Sequence, residues 1–441
     1  MSPSPPNHRR VAITGLGVVS PLGNSPSALW EALSAGRSGV AALKNFPPLE
    51  GQVEFGGEAS DFTGAIDDFG PLPKPVKKSI RKALKVMCRE TMMGVAVAQQ
   101  AYHDSGLADA AADPERSGVV FGSDYMLSPP EDLNDGMIEC GIAQGALQYS
   151  RWGQDGLREM SPLWMLKYLP NMPASHIAIF NDLRGPNNSL TLREIAGLMA
   201  IREAVHTIQR GQADRMLAGA TGTRLHPFKT VHALQQVCLA QADLDPETAS
   251  RPFDKNRTGM VVGEGAAALM LEELGSAQAR GATIYGEVLG SGSSMVANGE
   301  LQGRCDRALA NAATTALRES GLTGDRLGHV NAHGLATVEA DAAEAVAIGE
   351  VLGDSNRRVP VVAAKSYFGH LGAASSVVEL IASLGSLGEQ QLFRTLNYQT
   401  PDPQCPVAVT TDHGQPSGEN FLKLSVTPQG QAAALVVART G

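Results

Sequence analysis

A chain of 441 residues, 43% hydrophobic and 18% charged, can supply one large α/β unit or two or three ordinary domains. Its formal net charge of −9 provides no broad basic field for phosphates, so nucleic acid is not an expected partner. The five cysteines, Cys88, Cys140, Cys238, Cys305 and Cys405, form no CxxC pair; this argues against a zinc site or disulfide framework and for a reducing cytoplasm.

Met1 to Arg10 is polar and proline-rich without an apolar h-region, which is not the pattern of a secretory signal. No uncharged apolar run reaches the roughly 18 residues a membrane span needs. Val11 to Thr14 reads as a buried strand that gives way to a turn at Gly15, Gly17 and Pro21-Leu22-Gly23, with a helix from about Pro26 to Leu33. Gly118 to Gly122 reads as a second buried strand. From Ile195 to Ile208 the apolar residues Ile195, Leu198, Met199, Ile201, Val205 and Ile208 recur at helical spacing. Met216 to Gly219 reads as the strand that follows. Strands alternating with helices predict an α/β fold with largely parallel sheets. A seam is expected over Glu273 to Gly281, and the strand after it, Thr283 to Leu289 ending in Gly290, echoes the opening strand.

Four segments then occur in a telling order. They are Val11-Ala12-Ile13-Thr14-Gly15-Leu16-Gly17-Val18-Val19-Ser20-Pro21-Leu22-Gly23; Arg251-Pro252-Phe253-Asp254 with Arg257, Gly259 and Gly263-Glu264-Gly265-Ala266; Asn331-Ala332-His333-Gly334; and Lys365-Ser366-Tyr367-Phe368-Gly369-His370. Together they resemble the β-ketoacyl-acyl-carrier-protein synthases of the elongating type, over nearly the whole chain. The resemblance implies a thiolase-like five-layer fold of two similar α/β halves, 8–273 and 281–441, normally dimeric. It also implies acyl-carrier protein as partner, with its phosphopantetheine as the substrate arm and no other cofactor or metal. In that family a cysteine at a helix N-terminus takes the acyl group. Two histidines, here His333 and His370, serve the enolate oxygen, with Lys365 beside them.

The nucleophile motif is where this chain departs. Ungapped alignment from Gly185-Pro186-Asn187 to Gly197 puts Glu194 on the family's cysteine. A carboxylate can act as a nucleophile, but an acyl anhydride is far more labile to water than a thioester. Thr191-Leu192-Arg193-Glu194 also reads as a capping box, in which Glu194 serves the helix end. Near the C-terminus Thr427-Pro428-Gln429-Gly430 aligns with the family's Gly-Phe-Gly-Gly, so Pro428 falls where a backbone N–H completes the oxyanion hole, and proline has none. Pro428, Gly430 and Thr337 are the expected substrate-binding positions. An ionised Glu194 is expected to favour protonated imidazole and to repel a malonyl carboxylate, and Lys365 is expected to pair with Glu344.

Lys74, Lys77, Lys78, Arg81, Lys82 and Lys85 recur at three- and four-residue spacing and make a basic helical face in an acidic chain. It is either a solvated surface or a dock for the acidic carrier protein, with Lys78, Arg81, Lys82 and Lys85 as its contacts. The reading favoured is a chain-length-factor-type partner subunit, forming a homodimer or a heterodimer with a cysteine-bearing ketosynthase. Such partners more often carry glutamine than glutamate at this position. The alternatives are a decarboxylase of malonyl-carrier protein that makes acetyl primers, and a functional 3-oxoacyl-carrier-protein synthase.

Overall fold

The computed structural model describes residues 9–107 and 113–440. The proline-rich start at 1–8 and residue 441, which hold the outer limits of the two expected halves, lie outside the described residues. In chain order the strands are β1 (Val11–Val19), β2 (Ala41–Ala42), β3 (Phe55–Gly56), β4 (Ser117–Ser123), β5 (Asn187–Thr191), β6 (Arg215–Thr223) and β7 (Glu264–Glu273). They continue as β8 (Gly286–Met295), β9 (His329–Asn331), β10 (Val361–Val362), β11 (Asn420–Val426) and β12 (Gln431–Ala438).

Apart from the small β2–β3 pair, these strands form one hydrogen-bonded sheet, β10-β9-β11-β12-β8-β1-β7-β6-β4-β5. Counting outward from its centre, β1-β7-β6-β4-β5 and β8-β12-β11-β9-β10 repeat the same chain order. They also repeat the same directions: the three outer strands of each half are parallel and the inner pairings antiparallel. The expectation of largely parallel sheets is therefore corrected to a mixed sheet. The reason is that β7 and β12 return directly beside their predecessors and need no parallel crossover.

The echo between the two halves has a steric basis. A Cβ on Gly17 would lie 2.0 Å from the carbonyl oxygen of Val97, and one on Gly292 would lie 2.0 Å from that of Ala312. Each half thus seats a 16-residue helix, Arg89–Asp104 or Cys305–Ser320, directly on its first strand, at positions where only glycine leaves room. This corrects two sequence expectations. Gly15 and Gly17 lie inside β1 and not in a turn, and the later strand runs from Gly286 to Met295 with Gly290 in its interior.

Helices Ala196–Gln209 and Ser375–Glu389 share one central apolar cluster with strands of both halves. The outer faces bury separate clusters, one under Arg89–Asp104 and one under Cys305–Ser320. Counting each half of the continuous sheet as one layer, joined through the β1–β8 pairing, helix, sheet half, helix, sheet half and helix make the five layers of two similar halves that the resemblance implied. Among the described residues no helix is long and apolar enough to cross a membrane.

Candidate active site at the ends of the outer strands

Within three residues past their carboxyl ends, β4, β5, β6, β9, β10 and β11 deliver Asp124, Glu194, Arg224, His333, Lys365 and Pro428 in turn. Parallel strands of an open α/β sheet bring such loop residues to one edge, where ligands bind. Because both halves contribute, residues far apart in the chain share one site.

Glu194 sits in a single 3₁₀ turn, Arg193–Ile195, that leads into the helix Ala196–Gln209, and Ser425 Oγ donates to its carbonyl at 2.9 Å. The expected capping box does not form. Thr191 ends β5, and neither the turn nor the helix has a side-chain cap. The carboxylate instead faces Arg224, whose Nη2 donates to Glu194 Oε1 at 2.6 Å while Nη1 donates to Asp124 Oδ2 at 2.6 Å. Glu194 and Arg224 are each 4% exposed and Asp124 is 1% exposed. A carboxylate this deep loses more without a counter-charge than a helix end loses without a cap, so the guanidinium wins.

Arg193 brings its Nε to 3.3 Å from Glu194 Oε2, from a backbone at φ 53° that is costly for a non-glycine residue. Burial opposes ionisation of Glu194, but the Arg224 and Arg193 charges outweigh it and hold the carboxyl below its usual range. Glu194 is an anion at neutral pH.

His333 and His370 stand together, with ring centroids 6.0 Å apart and planes at 76°. Both are driven well below the ordinary imidazole range, first by burial and then by neighbouring cations, Lys365 for His333 and Arg224 for His370. The expectation that Glu194 favours protonated imidazole is therefore corrected. Glu194 Oε1 is 4.0 Å from His370 Nε2, but Arg224 and Arg193 together already match the charges of Glu194 and Asp124. The tautomers follow from the partners. Gly372 N–H donates to His370 Nδ1 at 3.1 Å, and Lys365 Nζ reaches His333 Nδ1 at 3.3 Å. With Nδ1 accepting in each ring, Nε2 carries the proton, and two neutral N–H donors serve the site.

Lys365 also donates to the His333 carbonyl at 2.5 Å and pairs with Glu379 at 2.6 Å. The expected partner, Glu344, is engaged elsewhere, accepting the N–H groups of His333 and Gly334 at 2.6 and 2.7 Å. Two backbone donors fix Glu344 in place, so the lysine is free for Glu379. A second buried lysine, Lys423, binds the other oxygen of Glu379.

Glu194, Arg193, Arg224, Tyr125, His333 and His370 enclose a cavity of about 20 Å³. It shares His333, Leu335 and Pro428 with an open cavity of about 440 Å³, also lined by Thr337, Cys238 and Cys305. A broader depression of about 870 Å³, between Gly51–Glu54 and Leu234–Asp243, carries neither histidine nor Glu194 and so lacks the groups for acyl chemistry. Thr337 caps the helix Val338–Leu352 at the mouth. Gly430, at φ 78°, closes the turn behind Pro428 without lining either cavity. Lys78, Arg81, Lys82 and Lys85 are exposed, on and just after the helix Lys74–Ala83. Arg224 and Asp124 escaped the sequence reading, because a pair separated by 100 positions leaves no local pattern.

Comparison with known proteins accords with this geometry. Residues 8–277 match the family model "Beta-ketoacyl synthase, N-terminal domain" and residues 285–399 match "Beta-ketoacyl synthase, C-terminal domain". The chain is 34% identical over 403 residues to 3-oxoacyl-[acyl-carrier-protein] synthase 2 of Coxiella burnetii, covering 90% of each chain. Among solved structures it is similar to the ishigamide ketosynthase/chain length factor, with TM-score 0.81 and 27% identity over 98% of this chain and 100% of that one. It is also similar to a chain from a type II polyketide synthase acyl-carrier protein in complex with its ketosynthase, with TM-score 0.80 and 26% identity over 98% and 100%.

Proposed function

The chain belongs to the β-ketoacyl synthase family of fatty-acid and polyketide synthesis, and from that premise we propose that it is a non-elongating partner subunit of the chain-length-factor type. The observation that carries this reading is the buried Asp124–Arg224–Glu194 ion-pair chain. A nucleophile for acyl transfer must be free to attack and must hold its acyl group against water. Glu194 is bound on one oxygen by a buried arginine, and an anhydride formed on it would be short-lived. None of the described cysteines lines the small cavity with the histidines; Cys238 and Cys305 line the open one instead. Pro428, at the wall between the two cavities, has no N–H to offer an oxyanion.

In this reading the acyl-carrier protein docks on the basic face Lys78, Arg81, Lys82 and Lys85 and sends its phosphopantetheine arm into the open cavity. A cysteine-bearing ketosynthase supplies the condensation chemistry. Co-expression with such a synthase, followed by size-exclusion chromatography, tests it. A heterodimer in equal proportion is the expected result, and a homodimer that ignores the synthase contradicts it.

One observation favours a second reading, a malonyl-carrier-protein decarboxylase. Two neutral Nε2–H donors suit an enolate oxygen. Carbon dioxide release from malonyl-carrier protein by the parent supports the decarboxylase. Release only after Glu194→Gln means that the histidines are competent and the carboxylate holds them off.

A further inference from the structure

We propose that this site hydrolyses acyl thioesters, with Glu194 as general base for a water molecule that attacks a carbonyl held by His333 and His370. The inference rests on the non-elongating reading and adds an activity to it.

Three observations lead there. Arg224 holds Oε1 of Glu194 at 2.6 Å, whereas the buried Oε2 has only the longer, 3.3 Å ion-pair contact with Arg193 Nε and no hydrogen bond among the described residues. An ionised oxygen held this loosely keeps lone pairs to spare, and interior water is the usual partner for them. The cavity they face, about 20 Å³, suits a single water, which needs roughly 10–15 Å³ and two to four polar partners. The same cavity is lined by both histidines, whose Nε2–H donors are the kind of preorganised pair a carbonyl oxygen needs as it gains charge. The open cavity of about 440 Å³ shares His333, Leu335 and Pro428 with the small one, so a thioester on a slender arm can bring its carbonyl to their common wall, where the water faces it.

In the step, the water oxygen bonds to the thioester carbonyl carbon while Glu194 Oε2 takes its proton. The carbonyl oxygen becomes an oxyanion on the two Nε2–H groups. As the carbonyl re-forms, the carbon–sulfur bond breaks, and the thiolate leaves with the proton from Glu194. The products are a carboxylic acid and a thiol, with no oxidant or second substrate required. Arg224 makes Glu194 a weaker base but keeps it ionised, so the pairing lowers the rate without removing the reactive form.

The test uses the full-length protein with an octanoyl thioester of pantetheine in isotopically labelled water, with acid and thiol separated by chromatography. We expect acid carrying one solvent oxygen per molecule, at a rate above buffer. Glu194→Gln should lower that rate at least about 100-fold. His370→Leu, which removes the N–H donor and leaves the ion-pair chain untouched, should lower it by a similar factor, with thermal melting used to confirm that both variants fold. A parent rate equal to buffer, or an unchanged rate in folded Glu194→Gln, overturns the proposal. A parent that binds a cysteine-bearing synthase yet releases no acid overturns hydrolysis alone. A stable acyl adduct on the protein overturns both hydrolysis and the non-elongating reading.

Discussion

Replacing Arg224 with methionine isolates the electrostatics on which the site is built. The substitution keeps much of the side-chain volume and removes the one cation that bridges Asp124 and Glu194, each within 2.6 Å of it. Removing one partner from a buried ion pair costs about 3–5 kcal/mol, because the remaining charge stays buried and unmatched. Spread over 441 residues, that is a fall in Tm of roughly 3–5 °C. The loss also depends on pH. In the parent, the Glu194 carboxyl lies below its usual range, so its stabilisation is present above the unfolded carboxyl value and fades as pH falls through the folded one. Without Arg224 only Arg193 opposes burial, so the carboxyl should move up from its place in the parent and the variant should keep less of this stabilisation as pH rises. The gap between parent and variant is therefore wider near about pH 8 than near about pH 5. In a Glu194→Gln background the Arg224→Met loss should shrink by at least about 1 kcal/mol; it does not vanish, because Asp124 is still orphaned. Urea unfolding of the four proteins at both pH values measures this. A loss below about 1 kcal/mol, or one that is the same at both pH values and in both backgrounds, refutes the argument.

Other outcomes follow from neighbouring features. Gly17→Ala and Gly292→Ala each drive a methyl to 2.0 Å from a helix carbonyl; each should cost about 3 kcal/mol or more in chemical denaturation, and a loss under 1 kcal/mol would show that the helices can shift. Lys423 is lowered to about 8, chiefly by burial, with Glu379 opposing. The unfolded chain therefore binds more protons above that value, and the parent should gain stability over Lys423→Met as pH rises from about 8 to about 10; urea midpoints at the two ends that show no such gain contradict this. Reversing Lys78, Arg81, Lys82 and Lys85 to glutamate should leave Tm nearly unchanged and abolish binding of acyl-carrier protein in calorimetry. Binding that survives the reversal would return this face to an ordinary solvated surface.

The sequence foretold the fold well where the signal is local. Apolar runs marked β1, β4 and β6, and helical spacing marked Ala196–Gln209 to within a residue at each end. Glycines misled where their role depends on a distant helix: Gly15, Gly17 and Gly290 look like turn formers, yet they lie within strands because Arg89–Asp104 and Cys305–Ser320 rest on them. The site was legible in the same way. Motifs brought out Glu194, His333, Lys365, His370 and Pro428, and the structure gathers them. Arg224 and Asp124, which decide the charge state of Glu194, carry no motif. The pairing of Lys365 with Glu379 in place of Glu344 is a contest between backbone donors and a lysine that only three-dimensional placement resolves.

The most direct test of the account is the intact mass of the protein after incubation with acyl-carrier protein loaded with a saturated acyl chain. No added acyl group is expected on the parent, whether the cysteine-bearing synthase is absent or present, with any adduct confined to that synthase. A stable gain of one acyl group on this chain, traced by peptide mapping to Glu194 or to a cysteine, would contradict it and return the protein to the ordinary elongating synthases.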